Sequence, residues 1–145
     1  MRSLLLLCIG LGILRAETPC PWMNAATAGG LLGGEASATF APAGNDQSSG
    51  VCSFARVGDP KINLRIEVTV MKSVKAEFRS FLDKCRSDVK PLKAIGNEAV
   101  VCAWDVGERV VGRVRDQAFV ITLTAPDVNV EKMREAAETV SGNLF

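Results

Sequence analysis

The 145-residue chain carries 17 Lys and Arg against 16 Asp and Glu and has no histidine. Charge this close to balance sets up no field for nucleic acid or anionic lipid, so nucleic acid is not an expected partner. The missing imidazole removes every mechanism that uses histidine as base, relay or metal ligand.

The chain opens with Arg2, an apolar run over residues 4–14, and Leu14-Arg15-Ala16. A positive start, a short apolar stretch and a small residue at its end are the pattern of a secretory signal peptide. As a helix the run reaches about 16 Å, half the roughly 30 Å of a bilayer core, so no stable membrane anchor is expected. Residues 1–16 are therefore read as the signal peptide and residues 17–145 as a single disulfide-stapled domain, secreted or periplasmic after cleavage. Removing residues 1–16 takes away two Arg and Cys8, leaving 15 basic residues against 16 acidic and an even set of four cysteines: Cys20, Cys52, Cys85 and Cys102. Their separations of 32, 33 and 17 residues suit disulfides in an oxidising compartment and not the close pairs of a metal site. No metal or cofactor is expected.

Residues 21–32 read as a helix stopped by Gly33-Gly34. Residues 36–41 alternate as a short strand, residues 51–57 form a second, and Gly58-Asp59-Pro60-Lys61 is turn chemistry. The clearest strand spans residues 62–70, with Ile62, Leu64, Ile66, Val68 and Val70 on a core face and Asn63, Arg65, Glu67 and Thr69 on a wet one. After Ser73 as N-cap, Val74, Phe78, Phe81, Leu82 and Cys85 fall on one helical stripe. Ser87-Asp88-Val89-Lys90 reads as the loop leaving that helix. Residues 99–104, 109–115 and 118–124 read as three more strands, with Asp116-Gln117 as the last tight turn. Val130, Met133, Ala137 and Val140 then mark a closing helix capped by Asp127 or Asn129. The expected fold is α+β: an antiparallel sheet of about six strands from two α-β-β-β halves, helices packed on one face, and a C-terminal helix.

Both halves contain a Val-Cys-small-aromatic segment, Val51-Cys52-Ser53-Phe54 and Val101-Cys102-Ala103-Trp104. Treated as an internal repeat, it favours one of three disulfide pairings, Cys20 with Cys52 and Cys85 with Cys102, each tying a helix to a following strand. Cys52 and Phe54 share a strand face, as do Cys102 and Trp104, so each aromatic is placed beside its disulfide.

No motif carries identifiable catalytic chemistry. Gly29-Gly30-Leu31-Leu32-Gly33-Gly34 closes a helix where a phosphate loop would open one, and Ser73 with Lys75 lacks the Ser-x-x-Lys spacing. Asn45-Asp46-Gln47 offers too few oxygens for calcium. The candidate ligand-binding set is Arg65 and Glu67 on one strand with Arg113 and Arg115 on another; facing Arg residues attract a carboxylate, a phosphate or an acidic surface.

Pro19-Cys20-Pro21-Trp22-Met23, the Gly-Gly helix end, the Val-Cys-Ser-Phe strand and Gly96-Asn97-Glu98-Ala99 resemble small bacterial envelope proteins of unknown function. Many of those are lipoproteins that open with Pro-Cys-Ser-Leu-Leu and carry Gly-Asp-Glu-Ala before their last strands. The resemblance implies an α+β sheet with helices on one face and a Cys20–Cys52 bridge, and no activity; the lipidated Cys of that family is absent here. The expected function is a non-catalytic binding or protein-interaction module of the cell envelope, its partner a polypeptide or small ligand. The alternative is a small-molecule carrier holding an apolar ligand between helices and sheet, lined by Trp22, Phe78 and Phe81. Peptide mapping without reduction should yield fragments linking Cys20 to Cys52 and Cys85 to Cys102; a Cys20–Cys102 fragment would overturn both the pairing and the repeat.

Overall fold

A computed structural model describes residues 18–145 other than residue 106; the expected signal peptide, residues 1–16, and Cys8 within it lie outside the described residues. Chain order is α1 (Ala25–Leu32), β1 (Ala36–Pro42), β2 (Gly50–Arg56), β3 (Asp59–Val70), α2 (Val74–Leu82), β4 (Ser87–Pro91), β5 (Glu98–Ala103), β6 (Glu108–Val114), β7 (Gln117–Thr124) and α3 (Val130–Gly142). The strands form one open antiparallel sheet in the order β1-β2-β3-β7-β6-β5-β4. The α+β class and the closing helix are as expected.

Local chemistry sets the element ends. The first helix starts at Ala25 and not at Pro21, because the Asn24 side chain accepts from the Thr27 N–H at 2.8 Å and caps it. Gly33, at φ 74°, ends it in the left-handed region that suits glycine. For α3, Asn129 and not Asp127 is the cap, accepting from Lys132 N–H at 2.9 Å. Ser73 precedes α2 without a side-chain cap; its N–H instead donates to the Glu77 carboxylate one turn ahead. The last hairpin turns on Arg115-Asp116, one residue before the expected pair, and Arg115 takes φ 54° without a glycine. The sheet has seven strands and not six. Residues 87–91, expected as a loop, pair with β5 as a fully exposed edge strand, irregular between Ser87 and Lys90.

Register carries one apolar row across the first face of the sheet: Phe40, Cys52, Ile66, Ile121, Val110 and Val101 stand opposite one another in successive strands. Trp22, Leu31 and Leu32 from the α1 region and Met133, Ala136, Ala137 and Val140 of α3 close this core. The expectation that every helix packs on that face is corrected by α2. Val74, Phe78, Phe81 and Leu82 pack with Met71, Cys102, Val111, Ala118 and Val120, whose side chains point out of the second face. The reason lies in topology. Four antiparallel steps separate β3 from β4, so the two run parallel, and a chain joining parallel strands must cross over a sheet face, commonly as a helix. With the first face filled by α1 and α3, the crossover takes the second. It covers β5 to β7 and leaves β1 to β3 bare on that side among the described residues, so the wet face expected for β3 stays wet while β7 buries Ala118, Phe119, Val120 and Ile121 in succession.

The two disulfides accordingly sit on opposite faces. Cys20–Cys52 lies in the larger core, whereas Cys85–Cys102 lies under the end of α2. The two halves thus share an element order, apart from β4, but not a placement. Trp22, edge-on to Phe40 at 5.4 Å, is separated by the sheet from Phe78 and Phe81, so the three aromatics do not line a common cavity.

One close approach within the first face is absolute. Gly112 stands opposite Phe119, and a Cβ there would lie 2.3 Å from Phe119 Cζ. The fully buried ring has no free space to move into. Gly112→Ala is therefore expected to lose about 1–3 kcal/mol by overpacking, measured as a lower urea midpoint; an unchanged or raised midpoint would contradict this packing.

Candidate functional site

The second face supplies the site because it is only half covered. Inter-strand pairing sets Thr39, Ser53, Arg65, Thr122 and Arg109 in one row, from β1 through β2, β3 and β7 to β6. Registered partners project from the same face, so Arg65 and Arg109 stand on either side of Thr122 and lean over the same ground. The β6 end of the row meets the C-terminal end of α2, where a cleft of about 330 Å³ is lined by Asn63, Arg65, Glu67, Phe81, Lys84, Trp104, Arg109, Val120 and Thr122.

The Cys85–Cys102 bridge builds the outer wall. Lys84 precedes the first of these cysteines and Trp104 follows the second by two residues, so joining the sulfurs brings ammonium and indole together. The Arg86 N–H donates to Ala103 C=O at 2.7 Å, and Arg86 pairs with Asp105 at 2.9 Å, fastening the same junction. Lys84 Nζ lies 5.4 Å from the ring centroids of both Phe81 and Trp104, and the Arg109 guanidinium lies 5.3 Å from that of Trp104. These distances allow cation–π attraction worth about 0.5–2 kcal/mol each.

Charge in the cleft is unbalanced. Arg65, Arg109 and Lys84 face a single carboxylate, Glu67, which pairs with Arg65 at 3.3 Å. Neither Arg109 nor Lys84 has an acidic partner within 4 Å among the described residues. Burial, and then the positive charge of Arg65, lower the Arg109 guanidinium from its ordinary value, although an arginine remains charged at any physiological pH. Two like charges held near each other with one acid, paired to only one of them, form a site that an incoming anion relieves.

The expected set of Arg65, Glu67, Arg113 and Arg115 is brought together only in part. Arg65 and Glu67 line the cleft. Arg113 is on the same face but four residues further along β6, and β7 lies between β3 and β6, so its Cα is about 17 Å from that of Arg65 by strand geometry. It is committed elsewhere, pairing with Glu98 at 3.1 Å and lying 5.8 Å from the Phe78 ring centroid. Arg115 occupies the β6–β7 turn, where its N–H donates to Asn97 Oδ1. Arg109, Lys84, Trp104 and Thr122 were not anticipated. For Lys84 and Trp104 the signal was present, since each flanks a cysteine of the favoured pair; for Arg109 it was not, because a register across three strands cannot be read from one sequence.

Among the described residues no three His, Cys, Asp or Glu side chains gather as a metal set, and no helix is long and apolar enough to cross a membrane. Comparison of the chain with protein-family models, with curated proteins and with solved structures found no match.

Proposed function

We propose that this chain is an exported, non-catalytic binding module of the cell envelope that recognises an anionic group of its partner in the cleft between the end of α2 and the second sheet face. The observation that carries the reading is the imbalance of Arg65, Arg109 and Lys84 against one carboxylate beside an aromatic ring. Export is supported by the signal-like residues 1–16 and by two disulfides, which persist in oxidising compartments. The likeness to small bacterial envelope proteins belongs to the same reading. Binding without turnover is favoured because the chain has no histidine, its four cysteines beyond Cys8 are bridged, and Glu67 has no second acid beside it in the cleft for paired-carboxylate hydrolysis. A carboxylate or phosphate oxygen on two guanidinium forks gains charge-assisted hydrogen bonds of about 1.5–3 kcal/mol each.

Trp104 makes the site observable. Its ring touches two of the cleft cations, while Trp22 is buried on the other face. Citrate, titrated at an ionic strength of about 10 mM where screening is weak, should produce a saturable change in tryptophan emission that fades as salt is raised. Arg109→Gln should weaken this response about tenfold, one lost charge-assisted contact, and Arg113→Gln should leave it unchanged. A response that persists in Trp104→Phe, or that follows Arg113 and not Arg109, would place the anion elsewhere.

A further inference from the structure

The cleft is one end of a longer surface. From Arg109 the same inter-strand row continues outward through Thr122, Arg65 and Ser53 to Thr39 on the open edge strand. At about 4.8 Å per strand these four steps span about 19 Å. Beside the row, on the same face, stand Ser37, Ala55, Asn63 and Thr124, themselves in register. On this floor Ser37, Thr39, Ser53 and Thr124 are exposed and Ala55, Asn63 and Thr122 half-buried, Ala41 and half-buried Val51 flank it on the other side, and among the described residues no helix lies over it.

Two features decide what such a surface fits. First, it has no large exposed apolar side chain: the exposed large hydrophobics Val57, Val70, Val89 and Phe145 are scattered, none stands in the row, and Val51 beside it is half-buried. Protein partners draw most of their affinity from aromatic or aliphatic side chains seated in dry central pockets, and the floor offers none. Second, its hydroxyls and guanidinium groups stand along one line across the sheet, and its charge is concentrated at one end. Hydroxyls spaced along a strand row and closed by guanidinium groups match a chain that is itself hydroxylated at every unit and bears carboxylates.

We propose that the floor and cleft together bind an acidic oligosaccharide, with a uronate carboxylate held by Arg65, Arg109 and Lys84 and the sugar hydroxyls bonded to Thr39, Ser53 and Thr122. This rests on the reading of the cleft as the binding site and adds the chemistry of the ligand. No bond is made or broken; recognition is by charge-assisted and neutral hydrogen bonds.

The test is calorimetry of the exported protein with oligogalacturonate, with a neutral maltooligosaccharide of equal length and with a polyglutamate peptide of equal length. Oligogalacturonate should bind, the neutral sugar should not, and polyglutamate should bind more weakly. Arg109→Gln should weaken oligogalacturonate about tenfold. The double variant Thr39→Val with Ser53→Ala, on exposed positions outside the cleft, should weaken it about threefold or more while leaving the citrate response of Trp104 intact. Tighter binding of polyglutamate, no binding of oligogalacturonate, or an unaffected double variant would overturn the saccharide inference; if the citrate response survives, the cleft reading stands. Loss of dependence on Arg109 for every anion would overturn both.

Discussion

The structure depends on one connection, the passage from β3 to β4. These strands run parallel at opposite ends of a four-step antiparallel stretch, so the intervening chain has to travel over three strands. It does so as α2, on the face that α1 and α3 leave free, with Val74, Phe78, Phe81 and Leu82 turned down onto Val111 and Val120. Burying a large apolar side chain fully is worth about 1.5–3 kcal/mol, and this short helix has only one fully buried member, Phe78. Its hold on the sheet is therefore modest without the Cys85–Cys102 bridge at its end, which in the chain-entropy account of a 17-residue loop contributes about 3 kcal/mol.

From that placement the candidate site follows. A helix broad enough to cover the whole second face would bury Arg65 and leave no cleft; one on the first face would leave Arg109, Lys84 and Trp104 without a wall. Covering β5 to β7 alone makes a step, with an apolar cluster on one side and a polar floor on the other, and the cations gather where the step falls. The disulfide sets the height of that step by binding the residue after Lys84 to the strand that Trp104 follows. The same bridge is thus structural for α2 and a positioning element for the site, whereas Cys20–Cys52 serves the first core alone.

How much of this the sequence carried depends on the range of the interaction. Alternation in β3 and the stripe in α2 and α3 are local, and each appears as an element there, although β3 starts earlier, at Asp59 within the expected turn, and its last core-face residue, Val70, is exposed. The pairing of cysteines was legible because the short Val-Cys-small-aromatic segments recur. The face taken by α2 was not, since periodicity shows that a helix has an apolar side and not which side of a sheet receives it. Ser87–Pro91 escaped because an exposed edge strand has no buried face to impose alternation. Arg113, the expected residue, and Arg109 share a strand and a parity, and only the register through β7 separates a residue opposite Thr122 from one opposite Ala118.

The placement of α2 on the second face is the claim from which the cleft, the floor and the opposed disulfides all derive. Nuclear Overhauser contacts in the oxidised protein test it directly. The account predicts cross-peaks from the Phe78 and Phe81 rings to methyl groups of Val111 or Val120, and none from those rings to Val110, Ile121 or Met133 on the other side of the sheet. Cross-peaks to the latter set would put the helix on the first face and contradict the account.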